Sequence, residues 1–253
     1  MHTQRRLAFL DFLRGITLVS MIAYHAAWDY VYLYHHEIPG YRALPGYLWQ
    51  QSICWTFIFL SGYCRGGSNR EPHQLRSSRL RQIRRGLLLS ACGLLITAVT
   101  ALLMPDSIVI MGVLNFYGLA VLLTALLQPL LSRIPAPVGL PLCFLLFFLT
   151  RDVSSGYLGF ESLRLCALPR FLYQGFLPMV LGFPWPGFYS TDYFALLPWI
   201  FLYWCGYYAS AFPKPAFLQR SLCPPLEFAG RHSLLLYMLH QPVIMACMML
   251  LPL

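Results

Sequence analysis

Charged residues are scarce in this chain of 253 residues: they make up 11% of it, whereas a soluble domain carries about 25%. Hydrophobic residues make up 58% of the chain, and the mean hydropathy is +0.60. No polar segment is long enough to build a soluble core. These deficits exclude a soluble globular protein. They predict one all-α polytopic membrane domain over residues 1–253, a bundle of about seven transmembrane helices with eight as the alternative.

Sequence motifs of soluble enzymes are missing as well. The chain has no GxSxG elbow, Walker loop, HExxH pair or HxxxxD acyltransferase pair, which excludes a soluble-type hydrolase or kinase site. Its eight cysteines are spread singly, with no CxxC and no histidine at metal-ligand spacing. We therefore expect neither a metal site nor a disulfide framework.

Long apolar segments account for most of the remaining sequence. They predict spans near 7–29, 47–64, 86–104, 107–131, 137–150, 193–212 and 230–250. The first segment is long, charged and without a small-residue cleavage site, so we do not expect it to be a signal peptide. Segment 165–183 is apolar but interrupted by prolines and a glycine, which predicts an interfacial or re-entrant piece.

Basic residues predict the orientation in the membrane. With seven spans and a cytosolic N-terminus, thirteen basic residues fall inside and four outside, and Arg14 lies within the first span. Seven of them lie between Arg65 and Arg85, after the second span. The net charge of +9 is therefore interpreted as a topology signal that contacts anionic lipid, and not as a nucleic-acid site. Binding of a phosphorylated cytosolic cofactor by this loop is compatible with that role. We expect a multi-pass protein of the plasma membrane.

The first span carries charges that membrane helices seldom tolerate. Asp11, Arg14, His25 and Asp29 fall within about 60° of one helical face at 100° per residue. Ionisable groups at membrane depth are costly and usually face a bundle interior or a wet cavity. His25 is a candidate base or acyl acceptor, which Asp29 would orient. The alternative is a histidine satisfied by an interhelical hydrogen bond.

Asp11 and Arg14 are spaced i, i+3 and can form an ion pair. Such a pair could simply close the cytosolic end of the bundle. Alternatively, Arg14 could face the phosphates of a cofactor that enters from the cytosol.

The last span supplies a second polar face. Ser233, Tyr237, His240 and Gln241 lie within about 100° of one another around the helix. His240 is a candidate second acid or base, or a partner of the His25 face. A structural hydrogen bond is an equal alternative.

Two segments predicted to lie outside, 30–46 and 151–192, are rich in aromatic residues, proline and glycine. Aromatics there can form the ordinary interfacial belt or a platform for a sugar ring. Asp192 begins the sixth predicted span, either as a helix N-cap or as a carboxylate of an acceptor site. We take Trp28, Asp192 and Tyr237 as candidate substrate-binding residues.

Four blocks in order along the chain carry a family resemblance. RRLAFLDFLRGITLVSMIAYHAAWD resembles the first-helix signature of transmembrane acyltransferases, in which R-x-x-x-L-D-x-L-R-G precedes an apolar stretch and a histidine. The other three are similar to compact bacterial relatives of the heparan-α-glucosaminide N-acetyltransferase catalytic domain: WTFIFLSGYCRGGS, GFPWPGFYSTDYFALLPWIFLYWCGYY and AGRHSLLLYMLHQPV.

The resemblance implies acyl transfer across the membrane, from cytosolic acetyl-CoA as co-substrate to a sugar amine or hydroxyl on the far side. Asp11, Arg14 and His25 match the first-helix motif, and His240 matches the last block. The chain is shorter than the lysosomal enzyme, so we expect an envelope glycan or another amphipathic acceptor. The resulting assignment is catalytic His25, Asp29 and His240, with acetyl-CoA bound by Asp11, Arg14, Arg81, Arg84 and Arg85.

Two other classes of function compete with this interpretation. A proton-coupled transporter or flippase would use buried ionisable groups as relays, but it usually shows inverted repeats and paired broken helices, and neither is found here. A non-catalytic membrane assembly subunit would tolerate substitution of His25 and Asp29. A homodimer stays open as the oligomeric state.

Overall fold

The computed structural model describes residues 7–67, 75–161 and 163–250, which are mainly helical. The helices in this part of the chain are α1 (Ala8–Tyr32), α2 (Leu44–Gly67), α3 (Leu75–Leu103), α4 (Val113–Leu131), α5 (Ala136–Leu149), α6 (Phe176–Leu181), α7 (Trp199–Ala209), α8 (Pro224–Arg231) and α9 (Ser233–Leu250). A short antiparallel hairpin joins β1 (Tyr157–Phe160) to β2 (Leu163–Ala167). The fold is therefore mainly helical with one short hairpin, which the predicted all-α architecture does not include.

Length and apolar composition mark three described helical segments as able to cross a membrane. They are Arg79–Leu103 within α3, Val113–Leu131 and Ser233–Leu250. Helix α1 has 25 residues, enough to span a bilayer, but its charged residues lower its hydropathy. These helices support a membrane helical bundle, while the number of about seven spans stays a prediction.

The chain divides into two compact units, one formed by the residues up to Leu60 and from Pro213 onward, the other by Ser61–Phe212. In the first unit α1 packs against α8 through two reciprocal glycines. A Cβ on Gly15 would lie 1.9 Å from the Leu226 carbonyl oxygen, and a Cβ on Gly230 would lie 1.9 Å from that of Asp11. The two backbones are therefore in direct contact, as small residues allow between membrane helices.

Small residues also bring α3 and α4 together in the second unit. A Cβ on Gly118 of α4 would lie 2.1 Å from Ser90 Oγ of α3, and one on Gly93 would lie 2.3 Å from Asn115 Oδ1. In the same unit, the Tyr208 hydroxyl of α7 donates to the carbonyl oxygen of Leu131 at 3.1 Å. Close backbone approach, rather than large apolar side chains, thus sets the α3–α4 contact.

Several predicted boundaries differ from the structure. Segment 165–183, predicted to be an interfacial or re-entrant piece, contains most of β2, a 3-10 turn and the six-residue α6, and its place relative to a membrane stays a prediction. The sixth predicted span, 193–212, becomes the 11-residue α7, which begins at Trp199. The amides of Leu196 and Leu197 donate at 2.9 Å to the carbonyls of Val180 and Leu181, so this stretch is held outside the helix.

Candidate active site

The polar face of α1 is turned toward the last two helices of the chain, inside the first unit. Arg14 Nη1 lies 3.4 Å from Asp11 Oδ1, which confirms the expected i, i+3 pair. Asp11 is buried, and its carbonyl lies against Gly230 of α8. The helical periodicity of the sequence therefore placed this face correctly.

His25 of α1 and His240 of α9 lie side by side. Their ring centroids are 4.8 Å apart, with the planes inclined at 59°. His240 is 9% exposed, so its ring is largely removed from solvent. The structure thus brings together two histidines from opposite ends of the chain, and of the alternatives open for His240 it places this ring beside His25.

A backbone contact determines which nitrogen of neutral His240 carries the proton. Its Nδ1 is within hydrogen-bond distance of the Tyr237 carbonyl oxygen, which can only accept. Nδ1 is therefore the protonated nitrogen, and Nε2 holds the free lone pair. Nε2 is buried and has no hydrogen-bond partner among the described residues. A buried basic nitrogen without a donor is suited to accept a proton or hydrogen bond from a substrate.

Asp29 has a partner that the sequence did not predict. Its carboxylate is fully buried and lies 2.9 and 2.8 Å from Gln241 Nε2, measured from Oδ1 and Oδ2. No hydrogen bond joins Asp29 to His25 among the described residues, so the expected Asp29–His25 contact is replaced by Asp29–Gln241. Gln241 lies on the polar face predicted for the last span, which by itself indicates no partner.

An aromatic cluster flanks His25. Tyr24 packs at 5.3 Å against both Tyr41 and Trp49, and its ring meets His25 edge to face at 6.2 Å. The Tyr41 hydroxyl donates to the Tyr24 carbonyl, and Trp49 Nε1 donates to Ser20 Oγ at 2.8 Å. These bonds lock the cluster against α1. The sequence alone does not predict this cluster, because its members come from α1, from α2 and from the loop between them.

Of the two candidate substrate-binding residues of this unit, Tyr237 contacts a histidine ring, and Trp28 follows His25 by three positions on α1. Tyr237 packs at 5.2 Å against the His240 ring. Trp28 packs at 5.1 Å against Tyr32, one turn farther along α1. Both provide aromatic faces, although their contact with a substrate stays a prediction.

Three of the four arginines assigned to the donor belong to the second unit. Arg81, Arg84 and Arg85 are exposed in the first half of α3. Two other arginines of the same stretch, Arg70 and Arg76, fall outside the residues whose side chains the structure describes. The arginines retain access to solvent, as a phosphate anchor requires.

Asp192, also in the second unit, secures the start of α4 and is not the N-cap of α7. Its Oδ2 accepts the amide hydrogen of Val113 at 3.1 Å, and the neighbouring Ser190 Oγ accepts that of Ile110 at 2.9 Å. Burial raises the pKa of Asp192 to about 6, although the hydrogen bond from Val113 lowers it in part. A role in acceptor binding stays a prediction.

Within the described ranges, no group of three or more histidine, cysteine or carboxylate side chains could hold a metal ion. The polar groups brought together here include the two imidazoles, the Asp29 carboxylate and the Gln241 amide. Such a set supports proton transfer and hydrogen bonding.

Comparisons with known proteins give one match. A family model described as heparan-alpha-glucosaminide N-acetyltransferase, catalytic, matches residues 6–242. Searches of curated proteins and of solved structures returned no match. The matched range includes α1, the histidine pair and Gln241.

Proposed function

We propose a function from one premise: the chain belongs to the heparan-alpha-glucosaminide N-acetyltransferase catalytic family, whose model covers residues 6–242 of its 253. Members of this family are membrane acetyltransferases. The proposed reaction moves an acetyl group from acetyl-CoA on the cytosolic side to an amine or hydroxyl of a glycan on the outer side of the plasma membrane.

One observation carries this proposal: the first and last helices bring two histidines into ring contact inside a family of acetyltransferases. The His25 and His240 centroids are 4.8 Å apart, and His240 Nε2 is buried with a free lone pair. Acyl transfer needs a group that removes a proton from the attacking amine or hydroxyl. A buried imidazole provides that group near neutral pH.

The reaction balances with the side chains available. The acceptor nitrogen or oxygen attacks the thioester carbonyl and forms a C–N or C–O bond, while its proton passes to a histidine. The C–S bond breaks, and coenzyme A leaves as a thiol after taking up a proton. Alternatively, an imidazole nitrogen of His25 attacks first and carries the acetyl group to the acceptor. Asp29 is bound by Gln241, so neither route requires a direct contact between Asp29 and His25.

Two groups are candidate anchors for the phosphates of the donor. Arg14 lies in the first unit and already pairs with Asp11. Arg81, Arg84 and Arg85 lie in the second unit on the exposed part of α3. Guanidinium groups bind phosphate through charge-assisted and often bidentate hydrogen bonds, so either group could hold coenzyme A.

The test uses the purified full chain in liposomes, with labelled acetyl-CoA on one side and glucosamine or N-acetylglucosamine on the other. Glucosamine offers an amine, while N-acetylglucosamine offers only hydroxyls. We expect labelled product and a matching amount of free coenzyme A thiol. His240→Ala and His25→Ala should each lower kcat by about 10²–10⁴-fold, the usual contribution of a general acid or base.

His232→Ala is the matched control, because His232 is exposed and lies one residue before α9. It should keep the wild-type rate. Transfer at the wild-type rate in both His25→Ala and His240→Ala would overturn the mechanism. Proton-coupled uptake of a solute without any requirement for acetyl-CoA would favour the transporter instead.

A further inference from the structure

The side-chain amide of Gln241 joins the two ends of the chain at a buried point. Its Nε2 lies within 2.9 Å of both carboxylate oxygens of Asp29, across a sequence separation of 212 residues. Asp29 is fully buried, and no cation pairs with its carboxylate among the described residues. The neutral amide is therefore the principal group that satisfies this carboxylate.

The same contact fixes the orientation of the amide. A carboxylate can only accept hydrogen bonds when ionised, so the nitrogen of Gln241 must face Asp29 and the oxygen must face away. That oxygen, Oε1, is buried without a hydrogen-bond partner among the described residues. The amide nitrogen therefore donates the hydrogen bonds to Asp29, and the amide oxygen takes no part in this contact.

The backbone of α9 next to Gln241 lacks one helical hydrogen bond. Pro242 lies inside α9 and has no amide hydrogen to donate to the carbonyl of Met238. The turn that carries His240 therefore lacks one of its helical hydrogen bonds. Two side-chain bonds fasten this turn instead: His240 to the carbonyl of Tyr237, and Gln241 to Asp29 of α1.

Asp29 lies one helical turn beyond His25 on the same face of α1. A bond between Asp29 and Gln241 consequently holds His240, the next residue back on α9, at the level of His25. We infer that Gln241 is a positioning residue whose bond to Asp29 sets the distance between the two histidine rings. For catalysis this inference rests on the proposed acetyl transfer, in which Gln241 acts through His240 without touching the acetyl group.

The decisive experiment exchanges donor and acceptor across the contact. Gln241→Met keeps the chain length but removes the amide, and Gln241→Glu opposes two carboxylates. The double variant Asp29→Asn with Gln241→Glu restores one amide and one carboxylate in reverse order. Leu239→Ala, on an exposed position of α9, is the control.

We expect Gln241→Met and Gln241→Glu to lower kcat for glucosamine acetylation by about 100-fold, the usual cost of a misplacement near 1 Å, with KM for acetyl-CoA unchanged. The reversed pair should return kcat to within about 10-fold of wild type, and Leu239→Ala should match wild type. A reversed pair no better than Gln241→Glu alone would overturn the positioning role. So would a wild-type kcat in Gln241→Met.

A second readout does not depend on turnover. Histidine labelled with ¹⁵N reports the tautomer and surroundings of His240, whose signal is identified by its loss in His240→Ala. We expect this signal to shift in Gln241→Met and to return in the reversed pair. An unchanged signal would overturn the positioning role. Failure of the wild-type protein to acetylate any acceptor would overturn the proposed function. The ¹⁵N signal would still test whether the bond between Asp29 and Gln241 positions His240.

Discussion

At the scale of single residues, Asp192 shows how burial gives one carboxylate a pH response. Its side chain is half-buried in the second unit, and its described hydrogen-bond donor is the amide of Val113. Desolvation raises its pKa from 3.8 to about 6. The folded protein therefore holds the Asp192 proton more tightly than the unfolded chain does.

The expected consequence is a loss of stability as pH rises from about 4 to about 6, because Asp192 then ionises in a half-buried site. The contribution is fully present below the unfolded pKa and amounts to at most about 3 kcal/mol. Asp192→Asn keeps an oxygen for Val113 but cannot ionise. In detergent, thermal unfolding of this variant should vary less between pH 4.5 and pH 7 than that of wild type. Identical pH dependence in the two proteins would contradict the assignment.

Periodicity predicted the two histidines, yet it could not supply the partner of Asp29. The angular positions of His25 and Asp29 follow from one helix alone. The bond from Gln241 depends on the rotation and height of α9 relative to α1, which the sequence of either helix alone does not specify. A glutamine beside a proline in an apolar helix gives no signal of that kind.

At the scale of elements, the α1–α8 crossing has no room for a side chain. Gly15→Ala or Gly230→Ala would place a methyl group 1.9 Å from a backbone oxygen, so the helices must separate. We expect each substitution to lower the free energy of unfolding by about 1–3 kcal/mol, as overpacking does. Ala23→Leu adds more bulk on an exposed position of α1 and should leave stability unchanged. Thermal unfolding in detergent measures all three.

Helix α3 is longer than a membrane requires. Its 29 residues extend about 43 Å, compared with about 30 Å for the hydrocarbon core, so its arginine-bearing first turns can stand outside the bilayer. Composition predicted the span but not the helical form of the arginine-rich part. The hairpin β1–β2 was missed because β2 is exposed throughout and shows no alternation of buried and exposed residues.

If the α3 arginines bind the donor phosphates, Arg84→Glu combined with Arg85→Glu should raise KM for acetyl-CoA by about 10-fold or more, in line with the loss of a charged hydrogen bond. The wild-type KM should also rise with salt. Arg133→Glu, at an exposed position between α4 and α5, is the control. An unchanged KM for acetyl-CoA in the double variant, together with a raised KM in Arg14→Gln, would assign the phosphate contact to Arg14 instead of α3.

At the scale of the whole molecule, the orientation in the membrane rests on the distribution of arginines. Cys166 on β2 is exposed and lies in a segment predicted to face outward. Ser132 is exposed in the α4–α5 connection, which is predicted to face the cytosol. The chain thus offers a native probe for one side and a simple substitution for the other.

In a chain that keeps Cys166 as its only cysteine, we expect an impermeant thiol reagent to label intact cells. A chain in which Ser132→Cys provides the only cysteine should be labelled only after the membrane is opened. The reverse pattern would place the N-terminus outside and move the donor site away from the cytosolic acetyl-CoA pool.

The hydrogen bond between Asp29 and Gln241 also has a consequence for the insertion of the protein into the membrane. Gln241, the hydrogen-bond donor to Asp29, is synthesised 212 positions later, which takes about 10 to 40 s at ordinary elongation rates. During that interval α1 presents an unsatisfied carboxylate and an unpaired His25 to its surroundings. The first helix must therefore be sheltered by the insertion machinery, or wait at the membrane surface, until the last helix emerges.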